Sequence, residues 1–226
     1  MCGRYTLFSN LETIINRFSV TDNSIHSPTK NYNVHPGQNV LTILRKGHDI
    51  SAEIMKWGFK LNWNSATVEP RTLYNSRIES LLTKPTFKSI VKQQRCLIPT
   101  NGFYEWKKSI KGKLPFFVHT QRNELFAFAG IWTSEIDDNG LKINSCSIVT
   151  KAANSKLASI HSRMPVIVTK EMESHWLDAH SHPPDIIDNI LSDPNEANIY
   201  ADVVSDYVNS TRHAGEDCIT PRPRLL

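Results

Sequence analysis

The stretch that decides the fold runs Leu125-Phe126-Ala127-Phe128-Ala129-Gly130-Ile131-Trp132, then Asp137-Asp138-Asn139-Gly140, then Leu141-Lys142-Ile143-Asn144-Ser145-Cys146-Ser147-Ile148-Val149-Thr150. Two runs rich in apolar and β-forming residues flank a cluster of turn residues that ends in Asn-Gly, a strong hairpin signal. Upstream, Val40–Arg45 and Ile50–Trp57 flank the turn-like Lys46-Gly47-His48-Asp49 in the same way. Cys96–Ile98, Phe103–Lys107 and Pro115–Thr120 also read as strands, and Ala201–Asn209 as a final one. Asn62–Arg71, with its Asn, Ser and Pro, reads as irregular.

Helical patterns are short. Over Asn10–Ser19, Leu11, Ile14, Ile15 and Phe18 recur at helical spacing, with Ser9 and Glu12 as a capping box in front. Thr86–Gln94 carries Phe87, Ile90 and Val91 on one side, and Asn154–Ile160, Lys170–Ala179 and Pro184–Leu191 are further helical segments. The strands are joined mostly by hairpin-length turns, not by helical crossovers, so the sheet should be largely antiparallel. The expectation is one α+β domain over residues 1–226, with a curved or barrel-like sheet flanked by short helices.

Composition narrows the class. With 226 residues the chain can bury a core without covalent staples, and 39% apolar against 21% charged residues is ordinary for a globular protein. Lysine and arginine exceed the acids by 26 to 22, a mild excess that permits a nucleic-acid partner without demanding one. Cys2, Cys96, Cys146 and Cys218 form no CxxC pair, so neither a zinc site nor a disulfide framework is expected, and reduced, intracellular thiols fit better. No segment approaches the ~20 apolar residues of a membrane span, and no secretory h-region opens the chain.

The N-terminus, Met1-Cys2-Gly3-Arg4-Tyr5, is chemically unusual. Methionine is normally trimmed before a residue as small as cysteine, leaving an α-amine beside the Cys2 thiol. An α-amine pKa near ~7.7–8.0 keeps a useful fraction neutral at physiological pH. Such an amine attacks an aldehyde to give a Schiff base, and the thiol can then close on the imine carbon to give a thiazolidine. Gly3 permits close approach of the backbone, and Arg4 supplies a permanent cation suited to a phosphate-bearing substrate. A cysteine at position 2 is otherwise unremarkable.

Further motifs follow in order: Tyr32-Asn33-Val34-His35-Pro36-Gly37, Trp57-Gly58-Phe59, Asn75-Ser76-Arg77-Ile78-Glu79, and Arg95-Cys96-Leu97-Ile98-Pro99 running on to Asn101-Gly102-Phe103-Tyr104-Glu105-Trp106-Lys107. Phe128-Ala129-Gly130-Ile131-Trp132 and Ile160-His161-Ser162-Arg163-Met164-Pro165 complete the set. In this order and spacing the chain resembles the SRAP family, the SOS-response-associated peptidase or abasic-site-processing proteins. The resemblance runs from residue 1 to about 168, with a weaker continuation from Val204-Ser205 to Val208-Asn209.

The resemblance implies a protein that links Cys2 covalently to an abasic sugar in single-stranded DNA. It makes Asn75 the group that holds the sugar, Glu105 an acid–base group and His161 the residue that helps open the sugar ring. Each has an ordinary reading by itself. Glu105 could face solvent by strand alternation, a lone histidine is more often structural, and an asparagine often marks a turn. The resemblance also assigns Arg4, Pro36, Trp63, Arg77, Trp106, Thr150 and Arg163 to the DNA path, with Trp63 and Trp106 able to stack on bases. By alternation Trp106 should lie on the strand face opposite Glu105. Some family members carry an arginine where this chain has Pro85; Lys84 and Lys88 could supply charge there, without the guanidinium fork.

The expected partner is therefore single-stranded DNA with an abasic site, engaged by a monomer with no metal or organic cofactor, in the cytoplasm or on a bacterial nucleoid. Lyase activity would accompany a Schiff base. Two alternatives remain: a cysteine peptidase, or autopeptidase, using Cys2 with His161, and a non-catalytic single-stranded DNA-binding module.

Overall fold

The computed structural model describes residues 2–22, 29–61, 71–110, 112–136, 139–192 and 198–222. In chain order the strands are β1 (Tyr5–Leu7), β2 (Asn31–Val34), β3 (Asn39–Lys46), β4 (Asp49–Trp57), β5 (Phe59–Leu61), β6 (Arg71–Leu73), β7 (Asn75–Arg77) and β8 (Arg95–Thr100). They continue with β9 (Gly102–Ser109), β10 (Gly112–Thr120), β11 (Phe126–Ile136), β12 (Lys142–Ala152), β13 (Arg163–Pro165), β14 (Ile167–Val168) and β15 (Ile199–Val203). The helices are α1 (Leu11–Phe18), α2 (Ile78–Leu81), α3 (Pro85–Gln93), α4 (Lys170–Leu177) and α5 (Pro183–Ser192).

The hairpin read first from sequence is β11–β12, in register from Gly130 opposite Ile148 to Ile136 opposite Lys142. It is longer than expected at its turn end, and Asp137 and Asp138 of the turn lie outside the described residues. Around it a barrel closes: β12 pairs β4, β4 pairs β3, β3 pairs β8, β8 pairs β11 and β11 returns to β12. Closure uses a parallel contact, Ser145 and Cys146 beside Lys56 and Trp57, while the other four pairings are antiparallel. Full closure removes the exposed edges that an open sheet would present.

A second, antiparallel sheet has the order β15-β10-β9-β1-β2. It packs on the barrel through aromatic rings: Tyr5 lies 5.4 Å from Trp57 and 5.9 Å from Phe128, and Phe103 lies 5.7 Å from Phe128. Barrel strands are covered on both sides, which explains the unbroken buried runs Val40–Leu44, Phe126–Ile131 and Ser145–Lys151 in place of alternation. The largely antiparallel, barrel-like α+β architecture expected from the sequence is the one observed.

Three local expectations are corrected. The N-cap of α1 is Asn10, whose side chain accepts from the Thr13 amide at 2.8 Å. Ser9 does not cap, because its hydroxyl instead accepts from the Asn101 side chain at 2.8 Å. Asn154–Ile160 forms hydrogen-bonded turns, not a helix, with Leu157 and Ala158 donating to the Asn154 carbonyl and Ile160 and His161 to that of Leu157. Ala201–Asn209 splits into the end of β15 and a 3₁₀ turn at Asp206–Asn209, where the Ser205 side chain caps Tyr207.

Candidate active site

Five strands, β1, β9, β7, β12 and β13, bring the expected catalytic residues together. β1 pairs β9 with Tyr5 opposite Phe103, and Tyr104 donates its amide to the Arg4 carbonyl at 2.9 Å, so the N-terminal residues run beside Glu105. β7 lies parallel to β12 with Asn75 beside Ile148 and Arg77 beside Thr150. On its other side β12 pairs β13, with Thr150 opposite Pro165 and Ala152 opposite Arg163. β12 thus holds Asn75 and the His161–Arg163 segment in one neighbourhood.

Cys2 is fully buried. Its thiol donates to the Arg4 carbonyl at 3.9 Å, and its own carbonyl accepts from the Asn75 amide nitrogen at 3.0 Å. Asn75 Oδ1 is buried and has no hydrogen-bond donor among the described residues, an acceptor available to a ligand. Glu105 is only 4% exposed, and its carboxylate lies 3.9 Å from His161 Nδ1. Burial raises the Glu105 pKa from the ordinary carboxylate value, and the charge of His161 pulls it part of the way back. Burial likewise drives the Cys2 thiol far above the usual cysteine range, and the Glu105 charge adds to the effect. His161 Nδ1 sits 3.0 Å from the Arg163 amide, which donates to it, and 2.9 Å from the Arg163 carbonyl. These two contacts suit the two tautomers of the ring, one with Nδ1 accepting and one with Nδ1–H donating.

A cavity of about 590 Å³ opens here, lined by Gly3, Arg4, Glu105, Trp106, Lys108, Lys113, His161 and Asn209. Trp106 and Glu105 line the same cavity although strand alternation separates their faces. The Trp106 indole is held at the rim, donating to Asn209 Oδ1 at 2.7 Å. Arg4 lines the cavity too, but its guanidinium is engaged by the protein. It donates to Asn33 Oδ1 at 3.0 Å and to the Val208 and Asn209 carbonyls at 2.8 and 3.3 Å, and lies 5.7 Å from the Trp106 ring centre.

The other expected DNA contacts differ in how free they are. Arg163 forms a bidentate pair with Glu79 at 2.6 and 3.0 Å and donates to the Thr150 carbonyl at 2.7 Å. The Thr150 side chain is buried, at 3.5 Å from the Ser76 carbonyl. Arg77 is exposed at the start of α2. Lys84 and Lys88 are exposed on and before α3, where Pro85 occupies the first turn. Pro36 sits half-buried in the turn between β2 and β3. Trp63 lies outside the described residues. Lys108 and Lys113 line the cavity without having been singled out from sequence, and Asn209, quoted only in the weak C-terminal continuation, was given no role there. The lysine run 107–113 was a visible signal for the first two. Asn209 is brought in by long-range packing that no local pattern carries.

A model of the SOS response associated peptidase (SRAP) family matches residues 1–211. The chain is 34% identical over 223 residues to the abasic site processing protein YoqW of Bacillus subtilis, covering 97% of this chain and 99% of that protein. It is 27% identical to the abasic site processing protein YedK of Escherichia coli, covering 86% of each. A crystal structure of a Bacteroides thetaiotaomicron protein shares the fold at TM-score 0.81, with 21% identity over 98% of this chain and 100% of that one. With the family model spanning nearly the whole chain, this protein belongs to the SOS response associated peptidase (SRAP) family.

Proposed function

We propose that this protein processes abasic sites in DNA, by linking Cys2 covalently to the exposed sugar after removal of Met1. The observation that carries the reading is the buried Glu105 carboxylate beside His161, on the strand that runs alongside the N-terminal residues. A carboxylate whose pKa is raised by burial is a stronger proton acceptor, suited to taking the proton that an attacking ammonium must give up. The neutral α-amine then adds to the C1′ aldehyde of the ring-opened sugar and water leaves to give the imine. The thiol adds to the imine carbon, its proton passes to nitrogen, and the thiazolidine closes. His161, beside Glu105 at the cavity wall, assists ring opening. Asn75 orients Cys2 through its carbonyl and offers Oδ1 to the sugar hydroxyls. The sugar must be reached outside a regular duplex, which favours single-stranded DNA.

The rival peptidase reading needs a thiolate–imidazolium pair between Cys2 and His161. Burial favours the neutral Cys2 thiol instead, and His161 Nδ1 lies against Arg163 and Glu105. The proposal is tested with two matched single-stranded oligonucleotides, one carrying a true abasic aldehyde and one a tetrahydrofuran analogue without it. The expected result is a denaturation-resistant adduct with the aldehyde alone. Adducts with neither oligonucleotide, from protein whose Met1 is confirmed absent, would refute it.

A further inference from the structure

The run Lys107-Lys108-Ser109-Ile110-Lys111-Gly112-Lys113 forms the tip of the β9–β10 hairpin, with Lys111 outside the described residues. Pairing continues to the tip, with Ser109 opposite Gly112 and Lys108 directly opposite Lys113. Like charges facing each other across antiparallel strands destabilise the pair, so hairpin stability does not account for this arrangement. Neither lysine makes a side-chain hydrogen bond or ion pair among the described residues, and both line the cavity that holds Glu105 and His161. Strand spacing puts Lys108 on the same face as Trp106, two residues earlier. Beside them Ile110 is fully exposed, an apolar side chain at the tip of a cationic arm.

We propose that this hairpin tip is a strand-binding arm: Lys108 and Lys113 together hold the phosphodiester next to the abasic nucleotide, and Ile110 rests on the neighbouring nucleotide. This assignment rests on the DNA reading of the site above. Two ammonium groups converging from opposite strands suit a single dense negative charge, and a phosphodiester leaving the cavity mouth supplies one. Lysines are point charges without a fork, so the arm positions the backbone and reads no sequence. Its place beside Trp106 lets one nucleotide meet the indole while the adjoining phosphate meets the lysines.

The test compares the wild-type chain with Lys108→Ala/Lys113→Ala, its Lys108→Arg/Lys113→Arg counterpart, Ile110→Ser, and the control pair Lys92→Ala/Lys142→Ala on exposed positions elsewhere. Affinity for a labelled single strand carrying the tetrahydrofuran analogue is measured over a salt series, and covalent yield on the true abasic strand is scored separately. Each lost phosphate contact should flatten the log–log salt dependence by about 0.7. The alanine pair should flatten it by about 0.7 and weaken binding several-fold, the arginine pair should restore it, and the control pair should leave it unchanged. Ile110→Ser should weaken binding without altering the slope. A wild-type slope in the alanine pair, or an equal change in the control pair, would overturn the arm. If that happened while the wild type still formed adduct, the abasic-site reading would stand. Absence of adduct with the lysine effect intact would remove that reading and leave a strand-binding surface. Wild-type DNA binding by the alanine pair together with lost affinity for polyglutamate would instead assign the arm to an acidic protein partner.

Discussion

Glu105 carries the sharpest consequences at the scale of one residue. Its pKa is raised by burial, so its ionised form is disfavoured in the folded protein. The associated stability is fully present at acid pH and is lost as pH rises through the folded-state value. Glu105→Gln should therefore melt close to wild type near the ordinary carboxylate range and above wild type at mildly alkaline pH, by thermal scans across that interval. The same variant should slow adduct formation by about 10²-fold or more, the usual scale of acid–base assistance. Higher alkaline stability with undiminished rate would make Glu105 a buried carboxylate without a role in the chemistry. Arg163 gives a second prediction. Its bidentate partner Glu79 is exposed, so a DNA phosphate must compete with it. An exposed pair is worth up to about 1 kcal/mol, so Glu79→Gln should tighten single-strand binding by up to about fivefold at low salt. Fluorescence anisotropy measures this; weaker binding would mean that Glu79 orients Arg163 for DNA instead of blocking it.

At the scale of elements, the first turn of α1 separates two readings of one sequence. Ser9 and Glu12 have the spacing of a capping box, yet Asn101 claims the Ser9 hydroxyl and Asn10 makes the cap. Asn10→Ala should cost about 1 kcal/mol of stability by denaturant titration. Strand β9 offers a second case at Gly102, where an added Cβ would lie 2.4 Å from the Phe117 ring and 2.7 Å from the Val118 carbonyl. Because backbone must move, Gly102→Ala should destabilise by about 1–3 kcal/mol and loosen the strand that carries Glu105. The hairpins, α1, α3 and the two C-terminal helices were legible because each is a local pattern of period and punctuation. The segment before His161 was not. Leu157 and Ile160 share a helical spacing, but the stretch stops at turns as the chain heads into β13. The lysine arm was half legible, since the two strands were visible but ended short of the tip where Lys108 meets Lys113.

Over the whole molecule, the antiparallel character of the sheets could be read from turn lengths, whereas barrel closure could not. Closure depends on β12 lying parallel to β4, a contact between segments some ninety residues apart that share no turn. The second parallel contact, β7 on β12, places Asn75 and is equally non-local. The motif set therefore indicated which residues belonged together before any local rule could say how. It did not indicate that Arg4 would be tied to Asn33 and the Val208–Asn209 backbone, which makes this arginine a brace for the cavity as well as a candidate phosphate contact. No helix among the described residues is long and apolar enough to cross a membrane.

In the proposed chemistry Cys2 acts through both its α-amine and its thiol. The decisive experiment mixes a single-stranded abasic oligonucleotide with wild-type protein, Cys2→Ser and a form that retains Met1, and measures adduct on a denaturing gel and its mass. A stable adduct is expected with the wild type, a less durable one with Cys2→Ser, and none when Met1 blocks the amine. An undiminished adduct with Met1 retained would contradict it, because the bond would then not involve the Cys2 amine.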